Sequence, residues 1–151
     1  MGKKQPKQPG FAADLARLKA DQKKAASVAD PEAYRSQTPL WSFKEIALEG
    51  QYSWASMDTC DRRDAYSALK SYETMRWNEI EQVPHCHSAE AAEMDARVRA
   101  FLAQHCPYVE SMFQLKIGSK GRVFGVRVDR VYQIVIWDGE HEAFPTQLRH
   151  T

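Results

Sequence analysis

The 151-residue chain is poor in cysteine: Cys60, Cys86 and Cys106 are odd in number and show no C-x-x-C spacing. A disulfide framework is therefore excluded as the organising element, and the three read as reduced thiols. No run approaches the roughly 18 consecutive apolar residues that a membrane-spanning helix needs. A secretory signal requires an apolar core of about 7 to 15 residues behind its basic start. Here GFAADLARLKADQKKAA, Gly10 to Ala26, is broken by charge every few residues. A cytoplasmic location without membrane contact is the expectation. No internal repeat is visible, and no excess of either charge dominates, since 21 Lys and Arg face 20 Asp and Glu.

What is present is globular in character, with 43% hydrophobic and 11% aromatic residues. One domain of this length buries about two-thirds of its unfolded surface and needs no metal or disulfide staple. The near-neutral total hides an uneven distribution. Residues 1–24 carry seven Lys or Arg against two Asp, which makes that end a basic arm. Phe11, Leu15 and Leu18 lie on one face of a thin helix over Phe11 to Ala26. Residues 1–38 are thus expected to form a basic, partly helical or disordered extension that docks loosely or touches nucleic acid or a partner. Residues 39–151 are expected to form the folded domain.

After Pro39, Trp41 to Leu48 reads as a strand and YSWASM as a second short one. Asp58 or Thr59 is a fitting N-cap for a helix running to Ile80, with Asp61 in its first turn. The loop Glu81 to His87 leads to a second helix, Ser88 to Pro107. The last third alternates with period two. MFQLKI, RVFGVRV and VYQIVIW are strands joined by turns at GSKG and Asp129-Arg130, and Asp138-Gly139 permits a final strand, Glu142 to Phe144. The sum is an α+β fold with two helices packed on one face of an antiparallel sheet. Trp41, Trp54, Trp77, Trp137, Met75 and Met94 are expected to fill its core.

The cluster His85-Cys86-His87, with His105 and Cys106, invites a zinc reading. It lacks the paired-ligand spacing of a structural site, so neither metal nor cofactor is expected. Base is concentrated on the meander at Lys116, Lys120, Arg122, Arg127 and Arg130, with Arg149 beyond it. Alternation sends Arg122 and Arg127 to opposite faces unless a bulge at Gly125 restores their facing. Phe124, Tyr132, Trp137 and Phe144 supply stacking faces, and Tyr132 can emerge on the basic side. Such a surface suits phosphates and bases. His141 lies among Asp138, Glu140 and Glu142, which would raise its pKa and suit it to act as a general acid. Cleavage of RNA by its own 2′-hydroxyl needs a base, a cation for the phosphorane and an acid for the leaving oxygen. Arg122 fits the second role, His141 the third, and Glu110 or a neutral histidine the first. The three acids would repel phosphate unless they turn away from the basic face.

An arginine opening an apolar strand, RVFGVR from Arg122, followed by VYQIVIW and then His141, resembles the RelE/ParE toxin superfamily, in particular its YoeB-like branch. The G-x-RVFG strand and WD-x-EH turn are also similar to an uncharacterised bacterial and phage group near it. The resemblance covers residues 41–145 as topology and 110–145 as residues. It implies a RelE-like α+β fold and a cytoplasmic, growth-inhibiting toxin of a toxin-antitoxin system. It further implies an endoribonuclease cutting mRNA on the ribosome, and an antitoxin partner. Arg122 would stabilise the phosphate and His141 would move the proton. Two departures stand out: Glu142 occupies the place of the tyrosine that follows the histidine, and the basic extension is unusual. Two competing classes remain open. One is a non-catalytic ParE-like or phage-encoded inhibitor of a protein target, and the other an accessory nucleic-acid-binding protein.

Overall fold

A computed structural model describes residues 30–145. The basic arm with its helix, and Arg149, lie outside them. The chain divides into two compact units, 1–33 and 34–151, and the second carries the fold. Its architecture is α+β: a five-stranded, mostly antiparallel sheet in the order β1-β5-β4-β3-β2, with three helices. The strands β3 (Ser111–Ile117), β4 (Gly121–Val128) and β5 (Val131–Asp138) form the central meander that the alternation predicts. Gly118 and Asp129 take the left-handed backbone that its two turns require. Among the described residues, no helix is long and apolar enough to cross a membrane.

Several elements differ from the sequence expectation, each for a physical reason. The first helix, α1, spans only Thr59–Tyr72, with the Asp58 carboxylate accepting from Asp61 N at 2.7 Å. The chain leaves the helix so that Trp77 can enter the core. Its backbone N–H donates to Gln37 O and its indole N–H to Arg130 O, both at 3.0 Å, and a single turn, α2 (Trp77–Ile80), follows. The predicted helix from Ser88 is instead strand β2 (His87–Glu90), paired antiparallel with β3, then a 3-10 turn and α3 (Ala96–His105). Asp95 starts α3 by accepting from Arg97 N at 2.9 Å. β1 is only Leu40–Ser42 and runs parallel to β5. Beyond it the chain touches β5 through single bonds, Ala47 N to Val135 O and Trp137 N to Tyr52 O. YSWASM holds a 3-10 turn, Trp54–Ser56, and Glu142 to Phe144 forms no strand.

The two long helices also lie on opposite faces of the sheet, not on one. α1 and α2 pack Ala65, Leu69, Tyr72, Trp77 and Ile80 against Phe113, Leu115, Ile117 and Val123. α3 packs Val98 and Leu102 with Met94 against Met112, Phe124 and Ile136. The central strands are buried on both faces over most of their length, so both need a cover. Trp77 and Trp137 are buried, as is Met94. Trp41, Trp54 and Met75 are half-buried against the same core as Trp77.

The sheet's one irregularity lies where Gly125 marks it. Phe124 pairs with Ile136 and Gly125 with Ile134, so Val135 of β5 is the extra residue. The bulge is on the strand facing Gly125, and β4 itself keeps its alternation. Arg122 and Arg127 therefore stay on opposite faces.

Candidate functional site

The site is built where β4 begins. Arg122 stands directly across from Lys116 on β3 and Asp138 on β5, and residues so paired share a face. On that face Gln114 follows two residues before Lys116, and His87 of β2 is paired with Gln114. The face beyond them is closed by the α3 core. Arg122 is 3% exposed. Its Nη1 donates to Gly121 O at 2.7 Å, while its Nε is buried without a partner. Asp138 forms no direct ion pair with it; the two carboxylate oxygens accept from Glu142 N and Ala143 N, each at 2.9 Å. A buried guanidinium without a carboxylate is costly to the fold and attracts an anion.

The same Asp138 bonds fold the chain after β5 into the loop that carries His141. His141 has φ 60° and His85 φ 68°. They are two of the three non-glycine residues with left-handed backbone among the described residues, and such conformations persist where the surroundings impose them. His141 is half-buried, and its pKa is held below the ordinary 6.5. Burial is the main cause and Arg122 the next, with His85 and His87 adding to them and Asp138 opposing. The expectation of a raised pKa is thus overturned. Glu140 pairs with Lys120 at 3.2 Å, and Glu142 accepts from Gln51 Nε2 at 3.0 Å. Both acids are engaged away from the imidazole, and buried Asp138 acts mainly through backbone N–H groups.

His85 and His87 are exposed and flank a buried Cys86. The strand pleat turns Cys86 into the opposite core, where its Sγ lies 3.4 Å from Tyr72 Oη and from Lys116 N. Burial first, then Cys86, pushes the Tyr72 hydroxyl pKa up, and it donates to Lys116 O at 2.6 Å. Consistent with this separation, no group of three metal-ligating side chains is assembled among the described residues. Gln114 is 2% exposed, with Nε2 donating to His85 O at 2.7 Å and lying 3.4 Å from His87 Nε2. Its Oε1 is buried and unpartnered.

The predicted residues divide sharply. Arg122 is near enough to His141 to lower its pKa, with Lys116 opposite Arg122 and Lys120 in the adjoining turn. Glu110 does not join them. It is exposed at the far end of β3, its carbonyl accepting from Ala91 N, about 13 Å along the strand from Gln114. Arg127 belongs to the other face, where it pairs with Glu81 at 2.8 Å and lies over the Phe113, Trp77 and Tyr34 rings. Arg130 anchors Thr38 by two bonds in the turn at the opposite end of β4, about 20 Å from Arg122 along the strand. Tyr132 does not emerge. It is fully buried with its hydroxyl donating to Phe113 O at 2.6 Å, and burial raises its pKa well above 10.0. The sequence reading missed His85, His87 and Gln114 as members of the site. The H-x-H cluster was the available signal, although His85 sits in the turn before β2 and only His87 is on the strand.

The site therefore offers a buried cation without an ion pair, a His141 that feels the charge of His85 and His87, and a buried amide. The chain matches no protein-family model, no curated protein and no solved structure.

Proposed function

We propose that the protein is a RelE-like toxin: an endoribonuclease that cuts mRNA on the ribosome and is held in check by an antitoxin. The observation that carries this reading is Arg122, buried without a direct ion pair, its Nε unpartnered, and close enough to His141 to depress its pKa. A phosphodiester supplies the missing charge. Once it sits on Arg122, the repulsion that holds His141 neutral is cancelled and the imidazole gains a proton. It is then an acid placed beside the phosphate, ready to protonate the 5′ leaving oxygen. Arg122 stabilises the extra charge of the phosphorane. Lys116 and Lys120 extend positive charge along the same end of the sheet and steer the strand toward it. The α+β architecture and the strand-borne arginine ahead of a C-terminal histidine support the RelE-like assignment. The basic residues 1–24 suit contact with ribosomal RNA.

The test is inducible expression in a bacterium, with growth and primer extension as readouts, for wild type, Arg122→Met and His141→Gln. Wild type should arrest growth and cut translated mRNA. Each substitution should lower cleavage by roughly 100-fold or more, the usual contribution of one charge-stabilising group for Arg122 and of one proton-transfer group for His141. Arrest without cuts would transfer the reading to a ParE-like inhibitor of a protein target. RNA binding without arrest or cuts would leave an accessory nucleic-acid-binding protein.

A further inference from the structure

We propose that His87 is the base that takes the 2′-hydroxyl proton, and that buried Gln114 is the positioning residue that keeps the acting ring nitrogen bare. The proposal rests on the ribonuclease reading above and completes it, because His141 serves as the acid and Glu110 lies elsewhere.

Three contacts fix the tautomer. His87 Nδ1 lies 3.0 Å from Ser88 O. A carbonyl only accepts, so Nδ1 carries the hydrogen. Gln114 Nε2 lies 2.7 Å from His85 O, and the same rule orients the amide, with its NH2 end toward the histidines. The second N–H of that group then points to His87 Nε2 at 3.4 Å, which must therefore present its lone pair. The result is a neutral imidazole with hydrogen on Nδ1 and a bare Nε2. At 3.4 Å the amide contact sits at the outer limit of a hydrogen bond. It biases the tautomer and yields readily to a substrate hydroxyl.

The placement is equally specific. His87 and Gln114 are paired across β2 and β3, and Gln114 precedes by two residues the Lys116 that faces Arg122. The base and the phosphate cation thus stand on one face of the sheet with β3 between them, roughly 12 Å apart at the backbone, a gap their two long side chains narrow from both sides. A residue chosen only for packing would leave no bare acceptor, yet Gln114 is buried with Oε1 unpartnered. Its amide ties the left-handed His85 backbone to the His87 ring.

In the reaction, His87 Nε2 removes the 2′-hydroxyl proton as O2′ bonds to phosphorus. The bond from phosphorus to O5′ breaks, and the proton on His141 passes to O5′. The products are a 2′,3′-cyclic phosphate and a 5′-hydroxyl. His87 is left protonated and His141 neutral, and exchange with water restores both.

The experiment reads the tautomer first and activity second. Long-range 1H–15N spectra of the full chain should show neutral His87 protonated at Nδ1 in wild type. Gln114→Met and Gln114→Leu should both let the Nε2–H form appear. A wild-type His87 with its hydrogen on Nε2, or a tautomer unmoved in both variants, overturns the proposal whatever the activity. In cleavage assays, His87→Gln should lower kcat on the order of 100-fold with KM little changed. Gln114→Met should lower kcat by roughly tenfold or more, as a wrong tautomer does at other general bases. A shifted tautomer with kcat intact overturns the base assignment. The stated tautomer in a wild type that cuts no RNA identifies the ribonuclease reading as the failure.

Discussion

Arg122 is the residue on which stability and function pull apart. Burying its guanidinium with no direct ion pair leaves a cation held by one backbone carbonyl, its Nε without a partner inside the fold. An apolar side chain of similar length removes that cost. Arg122→Met should therefore raise the unfolding free energy by roughly 1 kcal/mol or more, seen as a thermal midpoint several degrees higher. Phosphate should tell the same story from the other side. At about 100 times its Kd it should stabilise the wild type by about 2.7 kcal/mol and leave Arg122→Met unmoved. A destabilised Arg122→Met, or equal phosphate stabilisation in both proteins, would contradict the anion site. At this scale the sequence was partly legible. Arg122 and His141 stood out by chemistry and spacing, whereas Tyr132 and Arg127 looked equally available and are committed to the core and to Glu81. Side-chain chemistry is written in the residue, but exposure is not.

Among the elements, β5 with its bulge does most to place the site. The extra residue Val135 lets Tyr132 lay its ring over Gly125, whose missing side chain makes the room. A Cβ there would land on the Gln133 carbonyl oxygen and on the Tyr132 ring. Gly125→Ala should consequently cost roughly 2 kcal/mol or more in denaturant unfolding, the usual penalty of overpacking a core. It should also lower anion affinity, because β4 carries Arg122 three residues away. A neutral substitution would mean that the bulge does not constrain β4. The glycine was legible as the mark of an irregularity, and the strand that carries the extra residue was not. β2 was not legible at all. His87-Ser88-Ala89-Glu90 has no strand composition, and it pairs because β3 presents a free edge of N–H and carbonyl groups. The same pairing brings His87 beside Gln114.

At the scale of the whole molecule, the start of β4 and the loop after β5 are joined by electrostatics, and pH reads that junction. The folded-state pKa of His141 lies below its ordinary 6.5, so the unfolded chain takes up more protons as pH falls through that region. This group's contribution to stability is therefore present above pH 6.5 and is lost as pH drops below it. The wild type should lose more stability between pH 7 and 5 than His141→Gln. Anion binding should reverse part of the loss, since a phosphate on Arg122 cancels the repulsion, and linkage then requires tighter phosphate binding at low pH. Thermal unfolding at several pH values with and without phosphate measures both. A wild type and variant with identical pH dependence would mean that folding does not depress the His141 pKa. The amino-acid sequence by itself determined the meander, its turns, the N-terminus of α1 and the end of α3. Alternation, capping and proline act within a few residues and need no partner. Tertiary structure alone decided the rest: helices on both faces, β2 as a strand, Arg122 buried and the acids around His141 turned aside. Those outcomes follow from which surfaces a strand edge and a closing loop happen to meet, and such contacts join residues far apart in the chain.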